Sequence, residues 1–134
     1  MTDKTKKILI LDDQLQWRVA LSALLKGEGY IIFEAENLDV AKKIILDNTI
    51  DLVTIDLRLI DADSYDVGGL DFLYTVKKNQ PKIATIILTG YPEAIKNEEA
   101  LKTLNTVIIR KVPENSTFDI QYFIQTVNNL LEKQ

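Results

Sequence analysis

The sequence contains neither cysteine nor histidine. Without cysteine there is no disulfide, no thiolate nucleophile and no thiolate metal site. Such a composition suits a reducing compartment. Without histidine the chain offers no imidazole base, no imidazole metal ligand and no phosphohistidine of its own. Any acid–base or phosphoryl chemistry therefore falls to carboxylates, hydroxyls, lysine and arginine. A basic excess is also missing. The formal net charge is -4, which argues against binding a nucleic-acid backbone directly. No apolar run reaches transmembrane length, and no apolar signal segment follows the charged start Met1–Lys7. The expectation is a cytoplasmic chain with no membrane partner. Only three prolines and five glycines occur, and no low-complexity tract, internal repeat or interdomain linker stands out.

What is present is enough for one core. At 134 residues and 46% hydrophobic, the expectation is a single domain over 1–134 that needs no staples. Short apolar runs alternate with amphipathic stretches. Ile8–Leu11, Tyr30–Phe33, Leu52–Ile55, Ile83–Leu88 and Val107–Ile109 read as strands. Between them, Leu15 to Lys26 reads as a helix with Gly27 and Gly29 as stop signals. Asn37 reads as the cap of a second helix carrying Val40, Ala41, Ile44 and Ile45. Arg58 to Gly69 has no period and reads as a loop; a helix follows from about Leu70 to Asn79, ended by Pro81. Pro92 suits the first turn of the next helix, roughly to Leu104. Ser116-x-x-Asp119 resembles a capping box ahead of a last helix with Ile120, Phe123, Ile124, Val127, Leu130 and Leu131 at helical spacing. Five βα units with continuous apolar strands imply an α/β fold, a parallel sheet covered by helices on both faces.

The polar residues fall at the strand ends. Asp12 and Asp13 end the first strand, Asp56 the third, Thr89 the fourth and Lys111 the fifth. In an open parallel sheet the ligand site lies outside the carboxyl ends of the strands. Three carboxylates gathered there repel one another and need a positive partner. A hard divalent ion with oxygen ligands, Mg²⁺, fits where a phosphoryl oxygen shares the site. A carboxylate in such a site can attack phosphorus, with the metal and Lys111 offsetting charge and the Thr89 hydroxyl donating to a phosphoryl oxygen.

Leu-Asp-Asp at 11–13, Val-Thr-Ile-Asp at 53–56, Gly-Gly-Leu at 68–70, Ile-Leu-Thr-Gly at 87–90 and Arg-Lys at 110–111 together resemble the receiver domains of two-component response regulators, over nearly the whole chain. The resemblance implies a flavodoxin-like five-stranded sheet of order 2-1-3-4-5. It implies Asp56 as phosphoacceptor, Asp12 and Asp13 as residues that bind or orient Mg²⁺, and the Arg58 backbone carbonyl as a further metal ligand. Thr89 is implied to sense the phosphoryl group, and Lys111 to contact it or the Asp56 carboxylate. The implied phosphodonor is a sensor histidine kinase or a phosphotransfer protein. No effector domain is read in the sequence, so output is expected through protein contacts. The last helix and neighbouring strand are a candidate homodimer face.

Three features depart from the family pattern. The segment between Asp56 and Gly69 is longer than usual. Ile108 stands where an aromatic is common three residues before the lysine. Val112 intervenes between Lys111 and Pro113, and a trans bond is expected there. Plainer readings exist for single residues. Asp12 and Asp13 could cap the first helix, Arg110 could enter the site in place of Lys111, and Trp17 could be a partly exposed packing residue. Against the active receiver stand a phosphorylation-independent receiver-like scaffold and a free-standing aspartyl phosphatase. The phosphatase pattern has Asp-x-Asp after the first strand, whereas Asp12 and Asp13 are adjacent.

Overall fold

The structure is a computed structural model and describes residues 5–56, 68–90, 105–111 and 117–132. Five strands, β1 (Lys7–Leu11), β2 (Ile31–Ala35), β3 (Leu52–Asp56), β4 (Ala84–Thr89) and β5 (Thr106–Arg110), form one sheet in the order β2-β1-β3-β4-β5. Every pairing is parallel. This is the expected doubly wound order. Four helices are described: α1 (Leu15–Gly27), α2 (Leu38–Asp47), α3 (Gly68–Asn79) and α4 (Ile120–Glu132). The expected helix from Pro92, residues 58–67 of the expected loop, the Arg58 carbonyl and the Val112–Pro113 bond lie outside the described residues. The last two residues of that loop, Gly68 and Gly69, are instead the first of α3, which starts two residues before the expected Leu70.

The central strands β3 and β4 are buried along their whole length, because helices cover both faces. Alternate residues separate into two cores. Leu9, Leu11, Val53, Ile55 and Ile87 pack with Ala41 of α2 and Phe72, Leu73 and Val76 of α3. Ile8, Ile10, Leu52, Ile86 and Leu88 pack with Leu21 and Leu25 of α1 and Phe123, Val127 and Leu131 of α4. Ile108 joins the first core. At the start of the sheet, Asp51 ties three strands together. Its carboxylate accepts from the Lys7 N–H at 2.8 Å. Its own N–H donates to the Lys7 carbonyl, and its carbonyl accepts from Ala84.

Local signals acted with some shifts. Asn37 caps α2 as expected, its side chain accepting from the Val40 N–H at 2.9 Å. Of the two glycine stop signals, Gly27 is the last residue of α1. Gly29 makes the turn with φ 96°, a conformation that only glycine adopts freely. The capping-box reading needs correction. α4 begins at Ile120, and Asp119 is itself the cap, accepting from the Tyr122 N–H at 3.0 Å. Ser116 lies outside the described residues.

Thr54 and Thr85 are buried in the sheet with hydroxyls that have no hydrogen-bond partner among the described residues. A buried unpaired hydroxyl costs more than a methyl of the same shape. Thr54→Val is therefore expected to raise stability by about 1 kcal/mol, read as a higher urea midpoint with an unchanged slope. A lower midpoint would show that the hydroxyl is satisfied.

Candidate functional site

Strand register sets the site. Leu11 pairs with Ile55, Asp56 with Leu88 and Thr89 with Arg110, so the residues just past these positions share one edge of the sheet. Alternation then selects which side chains meet. Asp12 follows Ile8 and Ile10, Asp56 follows Leu52 and Thr54, and Lys111 follows Val107 and Ile109. All three therefore continue the rows that face α1 and α4. Arg110 continues the opposite row. Its guanidinium donates to the Gly90 carbonyl at 2.9 Å, while Lys111 enters the site.

The Lys111 ammonium lies 2.9 Å from Asp12 Oδ2 and 3.1 Å from Asp56 Oδ2. A third donor reaches Gln14 Oε1 at 3.2 Å. Both carboxylates and the ammonium are almost fully out of water, with side-chain exposures of 1%, 0% and 5%. An ion pair at such a depth is held by geometry, because each ion has lost its hydration. Asp13 is exposed, yet one of its oxygens lies with oxygens of Asp12 and Asp56 inside a 4.8 Å cluster. Among the described residues, three carboxylates against one ammonium leave a net charge of -2 at the site. The donor set is all oxygen and carries a negative excess, which fits a hard divalent cation.

The backbone holds these groups from below. The Asp12 N–H donates to the Ala35 carbonyl at 3.0 Å, and the Arg18 guanidinium donates to the Asp12 carbonyl at 2.7 Å. Arg18 also lies 3.6 Å from Glu34. Asp12 Oδ1 accepts from the Gln14 N–H at 2.8 Å, so both Asp12 oxygens are engaged. The helix-cap reading of the aspartate pair needs correction: Gln14 is the N-cap of α1 and its own side chain makes no capping bond, while Asp12 reaches the N–H of that N-cap residue from outside the helix. Thr89 is buried at the end of β4, and its carbonyl accepts from the Lys111 N–H at 2.8 Å.

Two contacts were not foreseen. Gln14 binds the Lys111 ammonium, and the Trp17 ring covers it, with Nζ 4.6 Å from the ring centroid. Trp17 is half-buried, as a packing residue would be, but its face is turned to a cation. Its position on the first turn after the aspartate pair was the available signal. The direction of the ring was not readable from it.

The family model for the response regulator receiver domain matches residues 8–118. Transcriptional regulatory protein ZraR from Escherichia coli (strain K12) is 33% identical over 103 residues, covering 77% of this chain and 22% of that protein. The chain thus spans about a fifth of the length of that relative. Sporulation initiation phosphotransferase F from Bacillus subtilis (strain 168) is 35% identical over 88 residues, which is 66% of this chain and 67% of that protein. Among solved structures, response regulator protein TrrA from Thermotoga maritima, in complex with Mg²⁺ and BeF, superposes with TM-score 0.72 at 26% identity, covering 95% of this chain and all of that one. With the sheet order and the acidic edge already in place, the match over residues 8–118 settles the family: the chain belongs to the response regulator receiver domains of two-component signalling.

Proposed function

We propose that the chain accepts a phosphoryl group on Asp56 from a phosphohistidine of a sensor histidine kinase or phosphotransfer protein. The observation that carries this reading is the buried Asp12–Lys111–Asp56 bridge beside an exposed Asp13. Asp12, Asp13 and Asp56, with the Arg58 carbonyl, would hold a magnesium ion that supplies charge neutralisation for the phosphoryl oxygens. An Asp56 carboxylate oxygen forms the bond to phosphorus as the P–N bond of the donor breaks, and the imidazole takes the bonding pair. Lys111, already 3.1 Å from Asp56, contacts the incoming oxygens. Thr89, at the end of the neighbouring strand, donates its hydroxyl to one of them.

The chain is on this reading a signalling phosphoacceptor rather than an enzyme acting on other molecules. On this reading residues 1–134 make up one receiver domain that works in the cytoplasm. Its output passes through protein contacts, including a homodimer through α4 and β5. The exposed Ile120 and Tyr122 on α4 are apolar surface for such a contact.

Incubation with acetyl phosphate and Mg²⁺ is expected to add a single phosphoryl mass to the wild-type chain and none to Asp56→Asn. Label persisting on the variant would remove Asp56 as the acceptor. A wild type that takes no label would favour the phosphorylation-independent scaffold.

A further inference from the structure

The Lys111 ammonium has three N–H donors, and Asp12, Asp56 and Gln14 each take one. All three donors are then taken, so any further contact with this buried cation acts on its charge rather than on an N–H. The indole of Trp17, the only tryptophan of the chain, covers it at 4.6 Å. An aromatic face carries partial negative charge, so a desolvated ammonium gains from lying over it. A Leu or Met at the same place would fill the volume but offer no such field. The ring is also not an endpoint. Its edge meets Phe118 with centroids 5.2 Å apart and planes at 90°. Phe118 in turn meets Phe123, on the first turn of α4, at 5.7 Å. Phe123 is fully buried and is part of the core between α1 and α4. Trp17 and Phe118 also line a groove of about 340 Å³ with Ala20, Leu24 and Ile120. The ring therefore has open space beside it.

We propose that Trp17 is a positioning residue: its face holds the Lys111 ammonium between Asp12 and Asp56, and its edge passes any displacement of that ammonium to Phe118 and the start of α4. This rests on the reading of Asp56 as phosphoacceptor, since a phosphoryl group there adds new acceptors for Lys111 and draws it from its present place. The α1/α4 face would then register the state of the site through three aromatic rings on the same side of the sheet as the three charged groups.

The test compares wild type, Trp17→Phe and Trp17→Leu. Phenylalanine keeps a ring face; leucine keeps only bulk. In the unphosphorylated proteins, the ε-methylene protons of Lys111 are expected to be ring-current shifted upfield in the wild type. The shift should be smaller in the Phe variant and lost in the Leu variant. The initial rate of phosphoryl uptake from acetyl phosphate at fixed Mg²⁺ is expected to fall about tenfold in Trp17→Leu and by less than about threefold in Trp17→Phe. On adding beryllofluoride with Mg²⁺, the backbone amides of Phe118 and Phe123 should move in the wild type and stay in place in Trp17→Leu.

An ordinary Lys111 shift in the wild type overturns the contact. Equal rates for the Leu and Phe variants overturn the positioning role, whether both are slow or both normal. Equal amide movement in the wild type and the Leu variant overturns the coupling. A wild type that takes up no phosphoryl group defeats the acceptor reading instead, and the Lys111 shift then decides the Trp17 contact by itself.

Discussion

Replacing Lys111 by Met is expected to destabilise the fold by about 3–5 kcal/mol at neutral pH, the usual cost of removing one member of a buried ion pair. An exposed pair would be worth no more than about 1 kcal/mol. The larger figure applies because Asp12 and Asp56 are buried and both lean on the same ammonium. Without it, three clustered carboxylates face one another and, among the described residues, lose the ammonium that bridges two of them. Met fills most of the space but none of the charge. Mg²⁺ is expected to raise the melting temperature of the variant more than that of the wild type, because the ion supplies what the ammonium did. Equal Mg²⁺ responses, or a loss under about 1 kcal/mol, would show that solvent already screens the pair. Thermal melts with and without the ion decide the matter.

A second large effect concerns a different lysine. Lys77, near the end of α3, is buried and donates to the Ile83 carbonyl and, at 3.3 Å, to the Asn105 carbonyl. Loss of hydration lowers its pKa from 10.5 to about 8. Both acceptors are neutral carbonyls, and a neutral amine still has two N–H donors for them. The folded state therefore prefers the deprotonated form, whereas the unfolded chain keeps its proton up to 10.5. Between those two values the unfolded state binds more protons, so stability rises with pH there. Below pH 8 the full cost of the buried cation is present. Relative to Lys77→Met, wild-type stability is expected to gain roughly 1 kcal/mol per pH unit across that window. Tyr30, whose pKa is raised by burial and then by Glu28 and Glu132, has the opposite sign above pH 10. It is common to both proteins and drops out of the difference. Urea titrations of both proteins from pH 7 to pH 10 give the result. A difference that is flat with pH would mean that Lys77 stays charged in the fold.

Much of the molecule was legible along the chain. Each of the five described strands overlaps the apolar run read for it, with no end displaced by more than two residues: Tyr30–Phe33 became Ile31–Ala35, and Val107–Ile109 became Thr106–Arg110. Strand burial is a local property, and runs such as Leu52–Ile55 declare it by composition. The last helix was as clear, since Phe123, Val127 and Leu131 repeat every four residues and all three are buried. Helix ends were read less well. The cap of α4 moved from Ser116 to Asp119. Both residues suit a cap, and only the direction of the backbone chooses between them.

The sequence by itself determined the alternation of elements, the exclusion of thiol and imidazole chemistry, and the placing of Asp12, Asp13, Asp56, Thr89 and Lys111 at strand ends. Those follow from residue identity and from periodicities of two and 3.6, which need no partner to be seen. The tertiary structure alone decided which of these side chains touch. Lys111 is 99 residues from Asp12 and 55 from Asp56. Their meeting depends on strand register and on the alternation that turns Lys111 inward and Arg110 away. The same holds for Trp17, read as a packing residue and found over the Lys111 ammonium. A helix position reports how far along the axis a side chain stands, but what its face meets depends on the strand packed opposite.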